Sequence, residues 1–413
     1  MARTVSVPAT QVGDLLQLLP ETADAGDLVS WVRKGEGLVG WGTVAVFRSS
    51  GDDRFAQAQE WWRAVTAEAI VRDDVDEPGT GPIAFGSMAY SAASEVESVL
   101  VVPAVVVGRR GTLAWVTTIT SDATVPAADE PLEHQPAPVD PGPVTFASRD
   151  LSTEHWADAV EEAVARINAG ALDKVVLARS VQATAEGPID PRWILSRLAD
   201  DYDTTWVFAV NGLVGATPEM LVRLERGLVT SRVLAGTIRR TGDDSHDLAL
   251  AGSLARSSKD LEEHEYAVRS VADALAEHTS SINVPDSPFV LHLNNVMHLA
   301  TDVAGVVDDD STSLALAASL HPSAAVCGTP TRDADRVIAE LEHMDRGRYA
   351  GPVGWMDASG DGEWGIALRC GSYDGRNSLR LYAGCGIVAG SNSQDEVAES
   401  VAKLLPMRTA LGG

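Results

Sequence analysis

The chain has 413 residues, enough for one large domain or two ordinary ones, with the apolar and charged content of a globular protein. With 32 basic against 59 acidic residues the net charge is −27. That excludes nucleic acid and anionic membrane surfaces as expected partners, and an anionic substrate would need positive charge gathered locally. Cys327, Cys370 and Cys385 are too few and odd in number for a disulfide framework. The first residues lack a basic stretch followed by a long apolar run, and no apolar run reaches the roughly 18–20 residues of a spanning helix. A cytoplasmic protein is therefore expected.

In chain order, "VVPAVVVGRRGTLAWVTTI" (101–119) reads as two β-rich runs joined at "GRRG" into a hairpin. The proline-rich stretch 124–144 has no periodicity and reads as a surface loop, either a divider between domains or a long excursion from one. Residues 154–170 have helical apolar spacing and a glycine stop. "DKVVLARSVQATA" (173–185) is a buried strand. Residues 204–236 form successive strands, with Asn211-Gly212 as a hairpin turn. Helices follow at 261–278, 333–344 and 394–405. Strands joined by short turns, with helices in blocks, predict an α+β fold with mainly antiparallel sheets. No internal repeat is evident.

Two helices each begin with a carboxylate pair. Asp260 and Glu263 are three residues apart in "SSKDLEEHEY", and Glu396 and Glu399 in "QDEVAES". Such spacing places both groups on one helix face, with Lys403 a turn beyond Glu399. Two acidic faces can hold a hard divalent cation through oxygen ligands. The plain alternative is that acidic residues early in a helix favour its dipole and the solvent. Gly384 and Gly386 flank Cys385 in a strand, where glycine marks either close backbone approach to a ligand or room for a packed neighbour.

Together the segments "DKVVLAR", "GATPEMLVR", "LAGTIRR", "SSKDLEEHEY", "HLATDV", "HPSAAVCGTP", "YAGPVGWMDASGDGEWGIALRC" and "LYAGCGIVAGSNSQDEVAES" resemble the chorismate-utilising enzymes, in the family's order. The resemblance is dense over 151–413, the motif-bearing catalytic part. Over 1–150 it is loose, with "PIAFGSMAYS" its best segment. It implies a single large α+β domain over 1–413, with two stacked, mainly antiparallel sheets flanked by helices. The proline-rich stretch is then an excursion rather than a boundary.

The resemblance implies Mg²⁺ between the two acidic helices, bridging to the ring carboxylate of chorismate. Glu263 and Glu399 match its direct ligands, and Asp260 and Glu396 the second acidic positions. Lys403 matches a lysine that holds the ring carboxylate, and Gly236 and Thr237 a substrate-carboxylate contact. Gly384, Arg369 and Tyr349 match positions that receive the enolpyruvyl carboxylate, for which a guanidinium is well shaped.

Among the family's reactions, the resemblance points to isochorismate formation, in which water adds at ring carbon 2 and the carbon 4 hydroxyl leaves. Lys174 matches the base and must act neutral, which partial burial favours. Glu219 matches the acid and needs a raised pKa. Each also has a bland reading, a snorkelling strand-end lysine and a turn carboxylate. His298 matches a histidine near the ring, with a structural role as its alternative; His321 and Cys327 read as structural. Ala235 stands where aminodeoxychorismate synthases carry a nucleophilic lysine. Anthranilate synthases usually lack the lysine seen here as Lys174, and no glutaminase region is found, so no glutaminase partner is expected. Salicylate synthase, which goes on to eliminate pyruvate, shares nearly all these residues. Ala325 in "SAAVCG" is commonly Thr in those lyase-competent enzymes and favours release of isochorismate. A non-catalytic chorismate-binding relative is the alternative of another class. The pathway served, menaquinone or a catechol siderophore, stays open at this stage.

Overall fold

The structure is a computed structural model that describes residues 1–22, 24–122, 132–293 and 296–413, with the side chains of Lys259 and Glu263 outside the described residues. The described strands form two sheets, one of 13 and one of 10 strands. Every pairing is antiparallel except Ala2–Pro8 with Val71–Asp73. The α+β architecture expected from strand clustering is the one observed.

Strands from both halves of the chain interleave. In the larger sheet, Trp206–Val210 lies between Leu213–Thr217 and Leu28–Arg33. In the smaller, Pro352–Asp357 lies between Gly362–Ile366 and Ile83–Ser87. The main core is sealed between the sheets and contains Trp31, Phe85, Phe208 and Trp364, all buried. Burying such side chains stabilises by about 1.5–3 kcal/mol each. A second core sits where helix Pro191–Asp201 and helix Ser393–Ala410 pack on the larger sheet, through Leu195, Leu404 and Met407 against Val207, Val214 and Leu381.

Local chemistry explains most elements. Ser152 caps helix Thr153–Asn168 by accepting from the His155 N–H, and Gly170, with φ of 78°, follows its end. Asn211 and Gly212 both have positive φ (47° and 78°), as the tight hairpin turn demands.

The hairpin at 101–119 needs a correction. The strands are Val105–Arg110 and Leu113–Ile119, so "GRR" is strand and the turn is Gly111-Thr112. Gly108 lies under Trp115, where a Cβ would come within 2.1 Å of the indole. Residues Ser98–Val102 form a separate strand of the smaller sheet. Helices Arg54–Glu68, Pro191–Asp201, Asp244–Leu254 and Ser313–Leu320 were not expected from the sequence. The last helix runs on to Ala410, through Pro406.

Part of the proline-rich stretch, 124–131, lies outside the described residues. From 132 to 143 it has no helix or strand and is tied to the body, with Gln135 N–H donating to Gln17 O at 2.8 Å and Gly187 N–H to Pro141 O at 2.9 Å. No helix among the described residues is long and apolar enough to cross a membrane. All three cysteines are free and buried.

Candidate active site

Two neighbouring crossings of the chain between the sheets each carry a site residue. After strand Leu213–Thr217 of the larger sheet it turns at Pro218-Glu219 into Met220–Glu225 of the smaller. After Gly362–Ile366 of the smaller sheet it returns through Arg369 into Cys370–Tyr373 of the larger. The crossings are stitched together: Thr217 Oγ1 donates to Ile366 O at 2.6 Å, Ile366 N–H to Glu219 O at 3.1 Å, and Ala216 N–H to Arg369 O at 3.2 Å. Arg369 has φ of 48°. A bulky residue in this region is held there by its surroundings, which is common at functional sites.

Lys174 opens strand Lys174–Ala185 and is buried. Gly236 and Thr237 sit at a register shift in strand Leu228–Arg239, opposite His298 in Val296–Val307. Gly236 brings this strand against the start of the first acidic helix, Ser258–Ala276, since a Cβ there would lie 3.1 Å from Asp260 Cβ. Ser257 caps that helix by accepting from the Asp260 N–H. Asn392 caps the second acidic helix, Ser393–Ala410, accepting from the Gln394 and Asp395 N–H groups.

These elements enclose a cavity of about 160 Å³. It is lined by Lys174, Glu219, His298, Gly236, Thr237, Ala325, Tyr349, Arg369, Gly384 and Lys403, and by Asp260, Glu396 and Glu399. Every expected site residue is thus in one place except Glu263, which lies on the first acidic helix with its side chain outside the described residues. The sequence reading missed Val176 and Arg346, which line the same cavity.

Burial raises the Glu219 carboxyl to about 7, against the opposing pull of Arg369, Lys174 and Lys403. A proton is therefore available near neutral pH, as an acid in this position requires. His298 is pulled down to about 3, first by burial and then by Arg369 and Lys403. It is a neutral imidazole whose Nδ1 is 3.0 Å from Thr237 Oγ1 and whose Nε2 has no hydrogen-bond partner among the described residues. Burial also pushes the Tyr349 hydroxyl well above its usual range, and its ring stacks on Tyr382 at 5.0 Å.

Lys403 Nζ contacts Glu399 Oε1 at 2.6 Å and donates to Gly384 O at 2.9 Å. Burial, the largest single effect, works against its charge, but the charge and hydrogen bond of Glu399, with a contribution from Cys385, together raise its pKa. Burial likewise pushes the Glu399 carboxyl up, while Lys403 and Arg369 overcome that and hold it below the usual range.

One ligand atom each from Cys385, Glu396 and Glu399 lies within 4.8 Å of the others. Burial pushes the Cys385 thiol far up, and its Sγ–H donates to Glu396 O at 3.4 Å. The donors besides the protonated thiol are carboxylate oxygens, the set that a hard cation such as Mg²⁺ takes. The residues present fit that ion. His321 and Cys327 lie outside the cavity, with His321 Nε2 2.8 Å from Tyr90 O and Cys327 Sγ donating to Thr331 O.

The family model described as chorismate binding enzyme matches residues 3–412. Isochorismate synthase MenF of Bacillus subtilis is 32% identical over 403 residues, spanning 91% of this chain and 85% of that protein. Isochorismate synthase DhbC of the same organism is 41% identical over 271 residues, 63% of this chain and 68% of that one. The solved structure of MenF, the menaquinone-specific isochorismate synthase from Escherichia coli, superposes with a TM-score of 0.83 at 25% identity, covering 100% of this chain and 94% of the other.

Proposed function

Because the chain belongs to the family of chorismate binding enzymes, we infer that it is an isochorismate synthase. It is an isomerase that adds water at carbon 2 of chorismate and expels the carbon 4 hydroxyl. The observation that carries the assignment of roles is the raised Glu219 carboxyl sharing one buried cavity with Lys174.

Lys174 acts as the base and takes a proton from the water that attacks carbon 2. Protonated Glu219 delivers its proton to the departing carbon 4 oxygen, which leaves as water. Proton exchange with solvent resets both groups. Positioned acid and base groups of this kind contribute roughly 10²–10⁴-fold each.

The substrate is a dianion, and Arg369 and Lys403 supply buried positive charge for it in a protein of net charge −27. Arg369, the Tyr349 hydroxyl and the backbone at Gly384 receive the enolpyruvyl carboxylate. Gly236, Thr237 and Lys403 serve the ring carboxylate. An ammonium has three donors, and Glu399 and Gly384 O take two of those on Lys403. Neutral His298 faces the ring as a hydrogen-bonding group. Glu399, Glu396 and Asp260, with Glu263 from the same helix as Asp260, would hold Mg²⁺. When bound, the ion supplies positive charge to the ring carboxylate. Ala325 gives that wall a methyl group rather than a hydroxyl.

The test is incubation of purified protein with chorismate and Mg²⁺, followed by chromatography. Isochorismate should accumulate without pyruvate. Stoichiometric salicylate and pyruvate from the earliest times would assign salicylate synthesis instead, and recovery of unchanged chorismate would leave only binding.

A further inference from the structure

Strand Lys174–Ala185 is paired along one side by Ser378–Ile387. On its other side Gly328–Thr329 pairs with residues 174–175 and Val144–Ser148 with residues 181–185. Between these, beside Val176 and Ala178, no strand lies alongside among the described residues. The Val176 N–H donates to Cys327 O at 2.7 Å and the Trp156 indole to Ala178 O at 3.0 Å, and two charged side chains fill the rest of the interval. Glu342 Oε1 accepts from the Ala178 N–H at 2.7 Å, and Arg346 Nη2 donates to Val176 O at 2.8 Å.

The two are also paired with each other. Arg346 Nε donates to Glu342 Oε2 at 2.9 Å, and Nη2 bonds Glu342 Oε1. Their side chains are only 3% and 2% exposed. The remaining edge of the guanidinium, Nη1, donates to Val326 O at 2.8 Å. One rigid fork therefore grips the carbonyls of Val176 and Val326, both lining the active-site cavity. Lys174 lies two residues before the first, and Ala325 immediately before the second. The Tyr90 ring, from the loosely matched N-terminal part, lies with its centroid 4.4 Å from the guanidinium carbon.

Stability alone does not call for this arrangement. A buried ion pair is often no more stabilising than well-packed apolar residues of similar volume. Apolar residues could not satisfy Val176 O, Ala178 N–H and Val326 O, nor hold two cavity walls at a set separation. A guanidinium does both because its donors are fixed in one plane.

We propose that Glu342 and Arg346 are a positioning pair for the reaction: they lock the strand that carries Lys174 to the loop that carries Ala325, and so set where the lysine amine stands against the bound ring. This rests on the isochorismate synthase reading above. The pair touches no reacting atom in this scheme and acts through the two walls.

The test uses Glu342→Asp, which keeps the charge but shortens the reach, and Arg346→Lys, which keeps the charge but loses the fork. Folded protein is quantified by gel filtration and circular dichroism, and kcat is expressed per folded molecule. Misplacement on the scale of 1 Å costs about 10²-fold, so kcat should fall about 10–100-fold. KM for chorismate should move less than about threefold, since only transition-state alignment is lost. Hydrogen exchange of the 174–180 segment should accelerate in both variants. A lowered melting temperature with kcat unchanged would overturn the proposal, because the pair would then serve only the fold. Should Arg346→Lys not fold, Glu342→Asp decides alone, and full kcat in that variant is equally fatal. Failure of the wild-type protein to make isochorismate would be seen first, and would count against the function rather than against the pair.

Discussion

Lys403 and Glu399 stand one turn apart on the same helix with Nζ and Oε1 separated by 2.6 Å, and the lysine also reaches Gly384 O, binding helix Ser393–Ala410 to strand Ser378–Ile387. The contact keeps Glu399 ionised inside the protein while placing a cation beside it. A site for a metal and a dianion needs both.

Removing the charge of Glu399 should therefore act on metal dependence. Glu399→Gln is expected to raise the Mg²⁺ concentration for half-maximal activity by at least about 100-fold, since even outer partners of metal ligands are worth 10–100-fold. Glu263→Gln should behave alike. Magnesium titration of turnover, with calorimetry of metal binding as a second readout, checks it. Undiminished activity of both variants after chelation would eliminate the metal assignment.

Lys174→Ala and Glu219→Gln should each lower isochorismate formation by roughly 10²–10⁴-fold while chorismate still binds. Binding is followed by equilibrium dialysis against chorismate. Near-normal turnover in either variant removes that residue from the mechanism, and loss of binding together with folding makes it structural.

Glu219 also predicts a stability trade. Its folded pKa is about 7 against an ordinary 4.5. Between those values the native state holds a proton that the unfolded state has released, so stability declines as pH rises from about 4.5 through 7. The decline from this one group approaches about 3 kcal/mol. Glu219→Gln should match wild type near pH 4.5 and exceed it by up to that amount at pH 8, despite its lowered turnover. Paired urea titrations at the two pH values measure the difference. Equal stabilities at pH 8 would contradict the raised pKa.

His298 carries the opposite sign. Its pKa is lowered to about 3, so the native imidazole stays neutral while the unfolded one gains a proton below about 6.5. Its contribution to stability is present above that value and is lost as pH falls toward 3. Turnover should accordingly show no ionisation of His298 near pH 6.5. His298→Gln should change kcat without moving the apparent pKa values of the pH–rate profile. A limb near 6.5 that vanishes in the variant would show that the histidine titrates during catalysis.

Ala325→Thr should raise the pyruvate by-product modestly. A hydroxyl in this wall can hold the enolpyruvyl side chain over the ring, where elimination occurs, and small changes in alignment have large kinetic effects. Val326 beside it limits the gain. A time course of isochorismate, salicylate and pyruvate provides the comparison, and identical product ratios would remove Ala325 from the control of release.

What the sequence disclosed follows from how local each signal is. The Glu396, Glu399 and Lys403 spacing defines one helix face, and Asn211-Gly212 one turn, so both were readable without tertiary knowledge. Glu219 looked like a turn carboxylate because nothing local says that the strands before and after it join different sheets. The "GRRG" hairpin was misplaced because Gly108 is required by a tryptophan across the strand pair, not by a turn. Glu342 and Arg346 escaped notice because an i, i+4 pair at a helix end has the same sequence signature whether it is solvated or, as here, bonded to a strand edge.

The interleaving of strands also governs how the protein comes to exist. The Trp31 indole donates to Glu363 across 332 residues of chain, and Phe85 pairs with Trp355 in the smaller sheet. Neither sheet has a nucleus that a short run of polypeptide could complete. Loop-closure entropy must be met before these pairings reward it, which places such a topology among slow folders and leaves sheet edges open meanwhile. A nascent chain released before Pro352–Asp357 has been made would leave Ile83–Ser87 paired only with Ser98–Val102 and its other edge open, so early termination should yield aggregating material rather than a smaller, weaker enzyme.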